Sequence, residues 1–181
     1  MTIAEMIRQT CRLDPTRDYN IELIDNQIWV FFHASWSSQD WIRDFLFFPK
    51  NLGEGSYAHM GYTFEAIDVL KSLEKDLKGY KDITFVGYSR GAAVALILAP
   101  LFDVKKVYVL GGSRVFWKLN PVMFSDINVT EVIYGNDLVT YLPPFMPRIK
   151  WNETKKIESK SKGWFKSIKD HGMYLEVEEE V

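Results

Sequence analysis

Apolar positions along the chain fall into short runs of two periods. Ile3, Met6, Ile7 and Thr10 recur at helical spacing, which predicts a short N-terminal helix that Asp14-Pro15 ends. Residues 19–24 and 27–32 are β-rich runs separated by Asp25-Asn26, the pattern of a hairpin. From Phe64 onward Ala66, Ile67, Leu70, Leu73 and Leu77 keep a 3.6-residue period, and Gly79 stands where a C-terminal cap belongs. Residues 83–86 are short and apolar enough for a buried central strand, and residues 92–99 form a strongly apolar helix closed by Pro100. Residues 107–110 before Gly111-Gly112, and 130–134 before Gly135, repeat the strand-then-loop unit. Strands joined by helical crossovers predict a compact α/β fold, a mostly parallel central sheet with helices on both faces. Residues 148–162 are polar and Lys-rich, with Ile149, Trp151 and Ile157 as scattered apolar positions, and read as a late strand or hairpin. Residues 162–169 suggest a short amphipathic turn, and residues 176–180 an acidic end.

Composition narrows the class without changing this picture. A chain of 181 residues fits one domain, residues 1–181, that buries roughly 70% of its unfolded surface. Its 25% charged and 47% apolar residues are ordinary for a globular protein. The net charge of −2 argues against nucleic acid as a partner. Residues 1–10 lack a secretory apolar region, and the longest apolar run, 92–102, is interrupted by Pro100 and too short to cross a bilayer. The cytoplasm is the expected location. Cys11 stands alone, so neither an intrachain disulfide nor a multi-cysteine metal site is expected. Aromatics reach 15%, and most should be core. The exception is Phe45-Leu46-Phe47-Phe48, an unbroken apolar stretch ending in Pro49 and a polar loop.

Candidate chemistry centres on Gly87-Tyr88-Ser89-Arg90-Gly91, a G-x-S-x-G sequence between the predicted buried strand and the predicted apolar helix. In that context a sharp turn lifts the serine hydroxyl out of the sheet edge, and glycine avoids collisions across the turn. A serine hydroxyl needs a base to take its proton, and the base needs a carboxylate to fix its tautomer. With the order serine, carboxylate, histidine, His171 is the one histidine after Ser89, while His33 and His59 precede it. Asp137 lies in the loop after the strand 130–134, at the sheet edge where sites form. Asp126 and Asp170 compete, the first placed before the strand and the second directly beside His171.

These residues resemble the class 3 (fungal-type) lipases of the α/β-hydrolase superfamily. The likeness spans roughly residues 28–174. It rests on residues 28–35 followed by Asp40-Trp41 and Asp44; on Ala58-His59-Met60-Gly61-Tyr62; on the serine turn; and on Tyr134-Gly135-Asn136-Asp137-Leu138-Val139 with Leu142-Pro143. His171 with Tyr174 is similar to the family's closing histidine. The resemblance implies an oxyanion hole made by Ser35 and the backbone N–H of Arg90. His33-Ala34 stand where the family carries Arg-Gly, and Arg90 and Ala92 replace its more usual Leu and second Gly. Arg90 is expected to pair with a surface carboxylate, and His59 to be structural. Residues 45–58 lie where the family carries its lid, and read either as such a lid or as a buried helix end. So short a lid favours small or soluble esters.

The implied activity is that of a serine esterase or lipase without metal or cofactor. It would act through an acyl-enzyme on a small ester or lipid, with Ser89 as nucleophile, His171 as base and Asp137 orienting the base. The same residues can serve a thioesterase or acyltransferase. A catalytically inactive binding protein on this fold is the alternative from another class.

Overall fold

The computed structural model describes residues 1–11, 18–32, 46–160 and 166–179. A helix α1 (Ile3–Thr10) opens the chain. Its N-terminus is fixed reciprocally, the Thr2 side chain accepting from the Glu5 N–H and the Glu5 carboxylate accepting from the Thr2 N–H. Strands β1 (Tyr19–Ile24) and β2 (Gln27–Phe32) pair antiparallel, Ile24 opposite Gln27. Asp25 and Asn26, at φ 49° and 64°, supply the left-handed turn that such a two-residue hairpin requires.

Strands β3 (Pro49–Gly53) and β4 (Ser56–His59) follow, then α2 (Met60–Asp76), β5 (Ile83–Tyr88) and α3 (Arg90–Leu98). Beyond them lie β6 (Val104–Leu110), β7 (Phe116–Lys118), β8 (Asn128–Tyr134), β9 (Glu153–Ile157) and α4 (Lys166–Gly172). The main sheet has the order β1-β2-β5-β6-β8-β9; β2 through β9 run parallel and β1 is the antiparallel edge. The central sheet is thus mostly parallel, as the strand-then-loop units imply. The late segment is one strand added parallel to β8, not a hairpin.

Side chains alternate across this sheet, so its inner strands feed two cores. Val30, Phe32, Phe85, Val107 and Val129 pack with α2 and α3. Phe31, Val86, Tyr108, Leu110, Val132 and Tyr134 pack with α1 and the turn around Tyr174. Every residue of α3 is buried, which explains its unbroken apolar sequence after Arg90. No helix among the described residues is long and apolar enough to cross a membrane.

Of the two readings of residues 45–58, the buried helix end does not hold in the described part. Residues 49–59 form the β3–β4 hairpin, which joins β7 in a separate three-stranded antiparallel sheet. Gly53, Glu54 and Gly55 all take positive φ, and this turn folds the chain back where a helix would have continued. The preceding aromatics anchor the hairpin: Trp117 Nε1 donates to the Phe47 carbonyl at 2.8 Å, and the Phe47 ring meets Phe145 edge-on at 5.0 Å.

Candidate active site

The site is built at the carboxyl ends of β5, β6 and β8, where an open parallel sheet leaves its crevice. β5 enters a tight turn at Ser89, whose φ of 56° and ψ of −121° lie in a region L-residues rarely occupy. The Ser89 N–H donates to the Leu110 carbonyl at 2.9 Å, which holds the turn against β6. A Cβ on Gly87 would sit 2.4 Å from the backbone of Ala92 and from the Gly91 carbonyl, so only glycine permits this approach of strand and helix.

Asp137 follows β8 and is fully buried. Its Oδ1 accepts the Val139 N–H at 2.9 Å, capping the short 3-10 turn Leu138–Tyr141. Its Oδ2 lies 2.8 Å from His171 Nδ1 and accepts the Tyr174 hydroxyl at 2.9 Å. His171, near the end of α4, presents Nε2 to Ser89 Oγ at 2.9 Å. A carboxylate only accepts, so Nδ1 carries the ring proton and Nε2 is left as the acceptor for the serine hydroxyl. Ser89, His171 and Asp137 are thus hydrogen-bonded in series, the arrangement of a nucleophile, a base and the group that orients the base.

The competing carboxylates lie elsewhere. Asp126 is exposed ahead of β8. Asp170 is buried beside His171 but turns away, accepting the Asn136 N–H at 3.0 Å and the Ser159 hydroxyl at 2.5 Å. Arg90 does meet a carboxylate, that of Glu65, but its side chain is 4% exposed, so the pair is internal rather than on the surface. His59 is buried at the start of α2 with its ring stacked on Tyr62, a structural position as expected. Ser35 and His33 lie outside the described residues.

Two further residues serve the site in ways their place in the sequence does not announce. Tyr174 is fully buried; besides donating to Asp137, its oxygen accepts the Tyr134 N–H at 2.9 Å. Tyr88 stacks on the His171 ring at 5.1 Å and donates its hydroxyl to the His171 carbonyl. Burial, and then the charge of Asp137, push both phenols well above the usual tyrosine range, so they remain protonated donors. Gly111 completes the pocket around the carboxylate at φ 55°: a Cβ there would lie 2.8 Å from Asp137 Oδ2 and 2.9 Å from the Tyr174 ring.

Residues 29–146, well over half of the chain, match the family Lipase (class 3). The chain belongs to the class 3 lipases. Ser89 and Asp137 fall inside the matched segment and His171 beyond it. Three solved structures share this lipase's fold at low identity. A fungal lipase–inhibitor complex superposes with a TM-score of 0.58 at 21% identity, over 78% of this chain and 72% of the other. Nonglycosylated Yarrowia lipolytica LIP2 lipase gives 0.56 at 15%, over 88% and 79%. The lipase of Rhizopus microsporus var. chinensis gives 0.55 at 24%, over 70% of this chain and 51% of its own length. This class 3 lipase thus spans only about half of the Rhizopus enzyme. No curated protein sequence matches it.

Proposed function

We propose that this class 3 lipase hydrolyses carboxylic esters through an acyl-enzyme on Ser89. The observation that carries the reading is the pair of bonds on one imidazole, 2.9 Å to the serine oxygen and 2.8 Å to a buried carboxylate. Ser89 Oγ attacks the carbonyl carbon as its proton passes to His171 Nε2. The tetrahedral intermediate collapses, the C–O bond to the alcohol breaks, and the imidazolium returns the proton to that oxygen. Water then repeats the sequence on the acyl-enzyme, with His171 again as base, and releases the acid.

Asp137 holds the tautomer and balances the imidazolium charge. Arg90 opens α3, so its backbone N–H belongs to the positive end of the helix, where a developing oxyanion is favoured. Ser35 is the second donor by likeness to the family; losing one such donor costs about 3 kcal/mol of barrier. Small or soluble esters are the substrate class, in keeping with the short segment at residues 45–58.

Stopped-flow turnover of p-nitrophenyl acetate tests this, with a thioester assayed in parallel. A burst of nitrophenol equal to the enzyme concentration, absent in Ser89→Ala, is expected. A parent inert towards every ester and thioester would leave the fold as a binding scaffold.

A further inference from the structure

α4, which carries the base, is a slight support for it. It has seven residues, of which Asp170 alone is buried, while Ile168 and Lys169 face solvent. β5 by contrast lies inside the sheet between β2 and β6 and is buried along most of its length. Its last residue, Tyr88, is the residue immediately before Ser89. The Tyr88 hydroxyl donates to the His171 carbonyl, its ring lies nearly parallel to the imidazole (20°, 5.1 Å), and its other contacts include the Tyr174 ring at 5.7 Å.

We propose that Tyr88 is a positioning residue for His171, fixing the backbone and ring plane of the base from the residue adjoining the nucleophile and favouring the imidazolium over its own ring face. This rests on the reading of His171 as the base. The two holds do different things. The hydroxyl ties the His171 backbone to β5, so one peptide unit sets both nucleophile and base. The ring bars rotation of the imidazole, so Nδ1 stays on Asp137 while Nε2 stays on Ser89. When the serine proton arrives, the imidazolium forms over an aromatic face, which attracts a cation.

Among the described residues, the other groups around the imidazole are Asp137 after β8, the Ser89 hydroxyl and the Tyr174 phenol. On its own helix, Lys169 is exposed and Asp170 is engaged with Asn136 and Ser159. The Cys11 thiol after α1 lies within electrostatic reach of Tyr88. The Tyr88 ring is therefore the uncharged group whose removal should move the titration of the base without disturbing its carboxylate.

The test is kcat, KM and their pH dependence for p-nitrophenyl acetate in Tyr88→Phe and Tyr88→Leu, with thermal melts alongside. Tyr88→Phe keeps the stack and loses one hydrogen bond, so kcat should fall about fivefold with KM and the pH profile unmoved. Tyr88→Leu should lower kcat further with KM still unmoved, and shift the acidic limb of kcat/KM downward by about half a pH unit as the imidazolium loses the ring face. An acidic limb that stays in place in Tyr88→Leu, or a kcat equal to the parent in Tyr88→Phe, overturns the proposal. Should Tyr88→Leu not fold, Tyr88→Phe decides alone. A parent without ester turnover overturns the assignment of the base instead, and is distinguished by that.

Discussion

Replacing Tyr174 with Phe removes a single oxygen that serves two buried partners. The hydroxyl donates to Asp137 Oδ2 and accepts the Tyr134 N–H, each at 2.9 Å, and all three residues are buried. A hydrogen bond to a charged group contributes about 1.5–3 kcal/mol, and leaving a buried N–H without an acceptor costs about 1–3 kcal/mol more. The variant should therefore lose about 3–5 kcal/mol of stability. If the 181-residue chain unfolds as one unit, an unfolding entropy of about 2.1 cal/mol/K per residue turns that loss into a fall in Tm of roughly 8–13 °C. Catalysis should suffer much less. Asp137 keeps its bonds to His171 and to the Val139 N–H, so kcat should stay within about tenfold of the parent, whereas Asp137→Asn should cost about 10⁴-fold by releasing the tautomer. A calorimetric melt and ester turnover on the same preparation read both quantities. A Tm within about 3 °C of the parent would mean that neither partner depends on this hydroxyl.

Three further outcomes follow from the same contacts. Gly111→Ala puts a Cβ 2.8 Å from Asp137 Oδ2 at φ 55°, so it should cost about 2–4 kcal/mol and lower kcat by moving the carboxylate, as urea titration and ester assays would show. Glu65→Ala removes one charged hydrogen bond from an Arg90 side chain that is 4% exposed, and should destabilise by about 1.5–3 kcal/mol in urea unfolding, whereas a surface pair would cost under about 1 kcal/mol. Alkaline pH should weaken the fold. Tyr88 and Tyr174 are raised, first by burial and then by Asp137, so the native state keeps protons that the unfolded chain releases. Their stabilisation is complete below the unfolded tyrosine value of about 10 and is lost as pH rises above it. Unfolding free energies at about pH 9 and pH 11 should differ less in Tyr174→Phe than in the parent, and an identical difference would place the loss in other groups.

Where local chemistry decides the structure, the sequence alone is a sufficient guide. Asp25-Asn26 tolerates the left-handed turn and so announces a hairpin. The apolar β5, the glycine-flanked Ser89 and the wholly buried α3 are each legible from residue type. Asp137 is found by its place after β8, a rule of open parallel sheets rather than a property of the aspartate. The β3–β4 hairpin is not legible, because Pro49-Lys50-Asn51-Leu52-Gly53 does not present the clean apolar-polar alternation of a strand, and its pairing with β7 is set by folding, not by neighbours in sequence. The parallel register of β9 is hidden for a similar reason: Glu153-Thr154-Lys155-Lys156-Ile157 is an exposed, polar edge strand. Tyr88 occupies the variable position of the serine turn, and its role exists only because α4 returns to that spot. Tyr174 offers a faint signal, an aromatic three residues after the candidate base, but the carboxylate it serves is 37 residues distant.

The proposed chemistry turns on Ser89 attacking the ester carbonyl. Mass spectrometric mapping of a fluorophosphonate adduct on the intact protein tests it most directly, because the probe bonds covalently to a serine activated by a base. One adduct is expected, on Ser89, lost in Ser89→Ala and formed far more slowly in His171→Ala with the fold retained. An adduct on another residue, or undiminished labelling in His171→Ala, would contradict it.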